Sequence, residues 1–216
     1  MFLIVQESSF LERYRTSSDL ETLAAQSISG TNPALTSDPL MTQEQRFYTT
    51  KPTMRIAEIG AGSTVFVQYW LPHLKQATIF VNDVDPILVQ HMADEIEYHN
   101  ALRNKGHELF AVLGSNYSTG LEGQALDIML IRNAFHHFSA PDAMLKSIKR
   151  SMKASGTLYL KEAFKESCTE NCCPDLGHRE EILKIISQNG FQLIRTQVIH
   201  EGSTSWYLLA FEMIPG

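Results

Sequence analysis

Short apolar runs recur along this chain, and most are closed by a glycine or an acid. The runs are Met54–Ile59, Ala77–Val81, Leu109–Leu113, Leu126–Ile131 and Thr157–Leu160. They are continuous rather than alternating, the pattern of strands covered on both faces. Between them the apolar positions fall at helical spacing: Leu88, Met92 and Ile96 in a stretch from Pro86 towards Lys105, then Met144, Leu145, Ile148 and Met152, then a helix from His178 to Asn189. Pro72, Gly106, Ser155-Gly156 and Gly190 mark the expected helix ends, since proline cannot continue a helix and glycine suits its C-terminal turn. Strand and helix in alternation predict an α/β, doubly wound, mostly parallel sheet. Phe191–Ile199 and Ser205–Met213 are joined by a link too short for a crossover. They must pair antiparallel, which makes seven strands ending in a hairpin.

Composition agrees with one such domain. The chain has 216 residues, 44% of them hydrophobic, a net charge of −6 and a pI near 5.7. That charge argues against nucleic-acid binding, because a phosphate backbone demands a cationic surface. No run approaches membrane length, and the opening Met1–Val5 lacks the basic flank of a signal peptide, so a cytoplasmic protein is expected. Residues 1–50 read as an N-terminal helical cap segment, in which residues 6–50, richer in Ser and Thr, form two helices joined by a Gly30–Pro39 loop, with Ser18 and Glu21 as a capping box. Residues 51–216 form the main domain.

The chemistry starts where the first strand hands over to Glu58-Ile59-Gly60-Ala61-Gly62. A strand feeding a glycine turn leaves backbone N–H groups facing a ligand. A dinucleotide site would need a small residue where Val65 stands, and Glu58 would set negative charge beside a pyrophosphate. Glu58 suits a cation instead. Asp83, at the end of the second strand and about twenty residues past the glycines, has the spacing at which such folds present a carboxylate to ribose hydroxyls. Asp85-Pro86 reads as the next helix start, with Asp85 as its cap.

These segments together resemble the class I S-adenosylmethionine-dependent methyltransferases, small-molecule type. The resemblance runs from residue 54 to 213 and includes Gly114-Ser115, Asp127 to His137, and the Lys153-Ala154-Ser155-Gly156 turn before the fifth strand. It implies S-adenosyl-L-methionine as cofactor in a Rossmann-like methyltransferase fold, held by Glu58, Gly60, Ala61, Gly62, Asp83, Val84, Ser115, Asn116, Arg132 and Asn133. Two departures stand out: Thr64 replaces a third glycine, and Ser115 replaces the acid that meets the adenine amino group. The resemblance also implies that Asn133-Ala134-Phe135-His136-His137 floors the pocket at the carboxyl end of the fourth strand. His136 or His137 is then the candidate base, with His137 favoured, since imidazole titrates near neutrality. Glu162 closes the fifth strand at the same edge, where it either meets substrate or is an ordinary strand-end acid. Gln45, Arg46 and Tyr48 are expected to meet the cofactor from above.

The implied activity is methyl transfer to a small-molecule acceptor through an oxygen, nitrogen or carbon nucleophile, with oligomeric state open. The alternatives are a cofactor-binding fold without catalysis and an NAD-dependent oxidoreductase. Arg132-Asn133-Ala134-Phe135 stands where enzymes methylating nucleic-acid bases or glutamine carry a proline-rich turn, which disfavours those substrates. Phosphate-loop and nucleophile-elbow motifs are absent from the sequence. Cys168, Cys172 and Cys173, near His178, lack a C-x-x-C pair. No metal is expected there, although such thiols would suit a soft acceptor such as arsenite.

Overall fold

The computed structural model describes residues 39–103, 106–167, 174–201 and 204–215, without the side chains of 39 and 98–103. Seven strands lie in the order β3-β2-β1-β4-β5-β7-β6. They are β1 (Arg55–Ile59), β2 (Thr78–Asp83), β3 (Glu108–Leu113), β4 (Leu126–Arg132), β5 (Met152–Ala163), β6 (Phe191–Glu201) and β7 (Thr204–Met213). Neighbours among β1 to β5 pair parallel, whereas β7 runs antiparallel to both β5 and β6. The helices among the described residues are α1 (Pro39–Phe47), α2 (Val65–Trp70), α3 (Pro86–Arg103), α4 (Pro141–Ser151) and α5 (Arg179–Gln188). None is long and apolar enough to cross a membrane.

Each central strand feeds two cores because its side chains alternate between faces. Ile56, Ile128, Leu130 and Tyr159 meet Phe47, Tyr48, Phe66, Trp70, Met92 and Ile96 from α1, α2 and α3. Ala57, Met129, Ile131, Leu158 and Leu160 meet Met144, Leu145, Ile148, Ile182 and Ile186 from α4 and α5. The buried, unalternating runs seen in the sequence follow from this double cover.

Two boundaries differ from expectation. The helix before β5 ends at Ser151, and β5 begins at Met152 rather than Thr157. Leu126 pairs with Met152, and the register then jumps so that Ile128 pairs with Thr157. The expected turn is therefore absorbed as an irregularity of the strand, with Gly156 so close to the Leu126 carbonyl that an added Cβ would lie 2.9 Å from it. The second difference is in α2, a short helix that passes into a 3-10 turn, Leu71–His73, around Pro72. The first expected helix of the cap, its Ser18 and Glu21, and the loop to Asp38 lie outside the described residues, as do Cys168, Cys172 and Cys173.

Candidate active site

The glycine turn after β1 packs against the turn after β4. Gly60 has φ +67, and a Cβ there would meet the Ala134 Cβ at 2.8 Å, so both backbone and space require glycine. Gly62 also has a positive φ, but an added Cβ would meet nothing within 4 Å. Open space beside a backbone N–H turn is what a ligand needs. Ala61 N donates to the Asn82 carbonyl at 2.9 Å, which ties the turn to β2. Thr64 has φ −90, open to any residue, and its hydroxyl donates to Glu95. The missing third glycine therefore costs the backbone nothing.

Asp83 joins three backbone donors. Its Oδ1 accepts from Val84 N at 2.7 Å and Asp85 N at 3.1 Å, and its Oδ2 accepts from Gly62 N at 3.0 Å. Asp85 accepts from Ile87 N at 2.8 Å, the capping role that its position before Pro86 predicts. Val84 stands 46% exposed beside this carboxylate, an apolar surface available to a ring. Ser115 and Asn116 lie exposed in the turn after β3, where the Ser115 N–H donates to the Ser118 carbonyl at 2.8 Å.

On the face covered by α1, alternate positions of three strands deliver Glu58, Arg132 and Lys161 to one place. Glu44 of α1, fully buried, completes the group. Arg132 donates to Glu44 through Nε and, at 3.0 Å, through Nη2; Lys161 Nζ donates to the same carboxylate at 2.9 Å, and the Tyr48 hydroxyl at 2.6 Å. Burial opposes the Glu44 charge, but these donors outweigh it and hold its carboxyl below the ordinary range. Glu58 receives only Arg132 Nη1, at 3.2 Å, and its Oε2 is buried without a hydrogen-bond partner. Burial, with the nearby Glu44 charge, pushes it up to about 7. The two acids differ because Arg132 spends most of its donors on Glu44. Its guanidinium also lies over the Phe66 ring, 3.6 Å from the centroid.

The opposite face holds the histidines. His136 Nδ1 lies 2.9 Å from Glu162 Oε1, and Glu162 Oε2 accepts from Phe135 N at 3.1 Å. Both side chains are buried, at 1% and 0% exposure. His137 is exposed, and its ring centroid lies 3.9 Å from that of His136. The two imidazoles share one place because residues 135–137 form a 3-10 turn, in which neighbours do not point oppositely as they would in a strand. Asn133 makes this turn possible by adopting φ +51, a conformation Asn tolerates, and its N–H donates to the Lys161 carbonyl at 2.7 Å.

Glu44 and Lys161 were missed by sequence reasoning. The signal for Glu44 was its place on the apolar stripe Leu40, Glu44, Phe47, Tyr48, where an acid requires partners. Its neighbours have other engagements: Gln45 donates to the Tyr69 carbonyl at 3.3 Å, Arg46 is exposed, and Tyr48 is buried among Phe66, Trp70 and Tyr159. Among the described residues no group of three His, Cys, Asp or Glu side chains could hold a metal.

The site fits S-adenosylmethionine on two observations. The unpartnered Glu58 Oε2 suits the cofactor's ammonium group, and the open side of Gly62 admits its bulk. Residues 57–158 match the family model described as a methyltransferase domain. No curated protein matches the sequence. Among solved structures, a SAM-dependent methyltransferase from Aquifex aeolicus is similar over 91% of this chain and 98% of its own, with TM-score 0.70 and 18% identity. The CurJ carbon methyltransferase is similar over 89% of this chain and 58% of its own, with TM-score 0.60 and 18% identity. The glycopeptide N-methyltransferase MtfA, complexed with S-adenosyl-L-methionine, is similar over 82% of this chain and 87% of its own, with TM-score 0.64 and 11% identity. At such identities the likeness is one of fold. Residues 57–158 thus carry a methyltransferase domain, set in the fold of S-adenosylmethionine-dependent methyltransferases.

Proposed function

We propose that the enzyme methylates a small molecule held over the carboxyl ends of β4 and β5, with His136 as general base. The buried His136–Glu162 pair carries this reading. Donation of Nδ1–H to a carboxylate fixes the tautomer and leaves Nε2 as the nitrogen that accepts a proton. We favour His136 over His137 because the His136 Nδ1 lies 2.9 Å from the buried Glu162 carboxylate, which can orient the ring. When bound, S-adenosylmethionine supplies an electrophilic methyl group, whose S–C electron pair returns to sulfur on transfer. Asp83 would accept the ribose hydroxyls, Val84 would cover one ring face, and Ser115 and Asn116 would meet the base edge. Glu58 would receive the ammonium group, while Arg132 and Asn133 would fix the wall beside it. His136 takes the acceptor's proton as the new bond forms. Glu162, which touches no substrate, orients the imidazole and balances its positive charge.

Most of the acceleration is assigned to orientation in a dry cleft, worth at its limit roughly 7 to 11 kcal/mol, with the base a smaller addition. Helix α1 contributes Glu44 to the charged network beside the cofactor site.

The test is transfer of labelled methyl from S-adenosylmethionine to a panel of phenols, amines and activated carbon acids. Transfer that collapses in His136→Ala supports the reading. Transfer that persists in a folded His136→Ala protein removes the base, and transfer to none of the small molecules removes the acceptor class.

A further inference from the structure

On the acceptor face Arg179 lacks, at its Nε, the pairing that two cations of the opposite face have. Arg132 and Lys161 both donate to Glu44. Arg179, the first residue of α5, has its Nε buried without a hydrogen-bond partner. Its guanidinium lies over the Tyr207 ring, 5.0 Å from the centroid, and that ring lies 5.1 Å from the buried Phe164 ring. Tyr207 is the β7 partner of Glu162, so the two side chains share a face of the sheet. Glu162 is the residue that holds His136. His136, Glu162, Tyr207 and Arg179 therefore follow one another along the same face by contact or cross-strand pairing.

A buried donor without a partner is costly, and an arginine edge is a two-pronged donor whose natural complement is a carboxylate. The neighbouring acid Glu166 is engaged elsewhere: its Oε1 accepts from the backbone N–H of Arg179 at 3.0 Å, and its Oε2 lies 3.4 Å from His178 Nδ1. Glu162 is engaged by His136 and Phe135 N. Among the described residues no group answers the Arg179 Nε–H.

We propose that Arg179 binds a carboxylate of the methyl acceptor, so that the substrate is a small carboxylic acid whose nucleophilic atom lies at His136 and whose apolar body rests on Phe164 and Tyr207. The proposal rests on the acceptor lying on the His136 face. Arg179 reads the substrate class and takes no part in moving the methyl group or the proton.

Binding and transfer test the two readings separately. The complex with S-adenosylhomocysteine is titrated calorimetrically with acid and amide pairs, among them 4-hydroxyphenylacetate with 4-hydroxyphenylacetamide, and benzoate with benzamide. The acids are expected to bind about tenfold to a hundredfold more tightly than their amides, the usual size of a charge-assisted pair. Arg179→Gln should bring each pair to within about threefold, while Arg179→Lys, which keeps the charge and loses the fork, should retain part of the preference. S-adenosylhomocysteine affinity and melting temperature, followed in both variants, separate ligand recognition from a structural role over Tyr207. Equal affinity for acid and amide, no binding of any acid, or a preference that survives Arg179→Gln overturns the proposal. Acids that bind through Arg179 yet accept no methyl group would uphold the carboxylate site and overturn the small-molecule transfer reading.

Discussion

The two faces of the sheet meet at one carboxyl edge and treat charge in opposite ways. On the α1 face, Glu44, Glu58, Arg132 and Lys161 form a closed network in which Glu44 answers both cations. On the α5 face, one His–Glu pair and one incompletely answered arginine stand along a wall of Phe164 and Tyr207. The difference teaches that a single strand supplies both: Lys161 and Glu162 are adjacent residues of β5 pointing to opposite sides. The closed face suits a cofactor of fixed structure. The α5 face, with its buried His–Glu pair, is the one we assign to an acceptor that must be selected and deprotonated.

The strongest way to break this comparison is His136→Ala. Loss of the base should lower turnover by about a hundredfold to ten-thousandfold while S-adenosylhomocysteine affinity stays within about threefold. A matched loss of both would mean that the two faces do not divide the work.

Glu44→Ala attacks the other face and should act on stability instead. Removing the acid leaves Arg132 and Lys161 without their main partner, a change that costs roughly 3 to 5 kcal/mol for fully buried pairs. The lower part of that range is expected because the two cations keep 16% and 15% side-chain exposure. Denaturant unfolding measures it, and a loss below about 1 kcal/mol would make the network incidental.

The pH dependence of Glu58 sharpens the division further. Its carboxyl is raised from 4.5 to about 7 in the folded protein. A raised group stabilises fully below its unfolded value, so this contribution is present below about pH 4.5 and is lost as pH rises through about 7. The shift corresponds to about 3 kcal/mol above that range. Glu58→Gln should remove this part of the pH profile, read as the difference in unfolding free energy between variant and wild type. Because a cationic ammonium needs the charged carboxylate, cofactor binding near pH 6 should release a proton. Calorimetry in buffers of different ionisation heat detects that release, and its absence would separate Glu58 from the cofactor.

The smallest effect is expected at Asp83. Asp83→Ala removes an acceptor for neutral hydroxyls, worth about 1.5 to 3 kcal/mol, and should weaken S-adenosylhomocysteine binding roughly tenfold to a hundredfold. Part of any loss comes through Gly62, whose N–H donates to Asp83. Asp83→Asn, which keeps one acceptor oxygen, should recover some affinity.

The sequence by itself determined the strands, the glycine turn and the cap at Asp85, because each depends on residues within a few positions of one another. Apolar runs covered on both faces, a glycine held at positive φ and an acid before proline are local requirements, so they remain visible in a linear chain. The tertiary structure alone decided the partners of the charged side chains. Glu44 lies 88 residues from Arg132 and 117 from Lys161, and Glu162 lies 26 from His136. No local pattern records such pairings, since they exist only where strand register and helix packing bring alternate faces together. The same holds for the adjacent imidazoles, whose rings meet because Asn133 turns the backbone out of the strand and into a 3-10 turn.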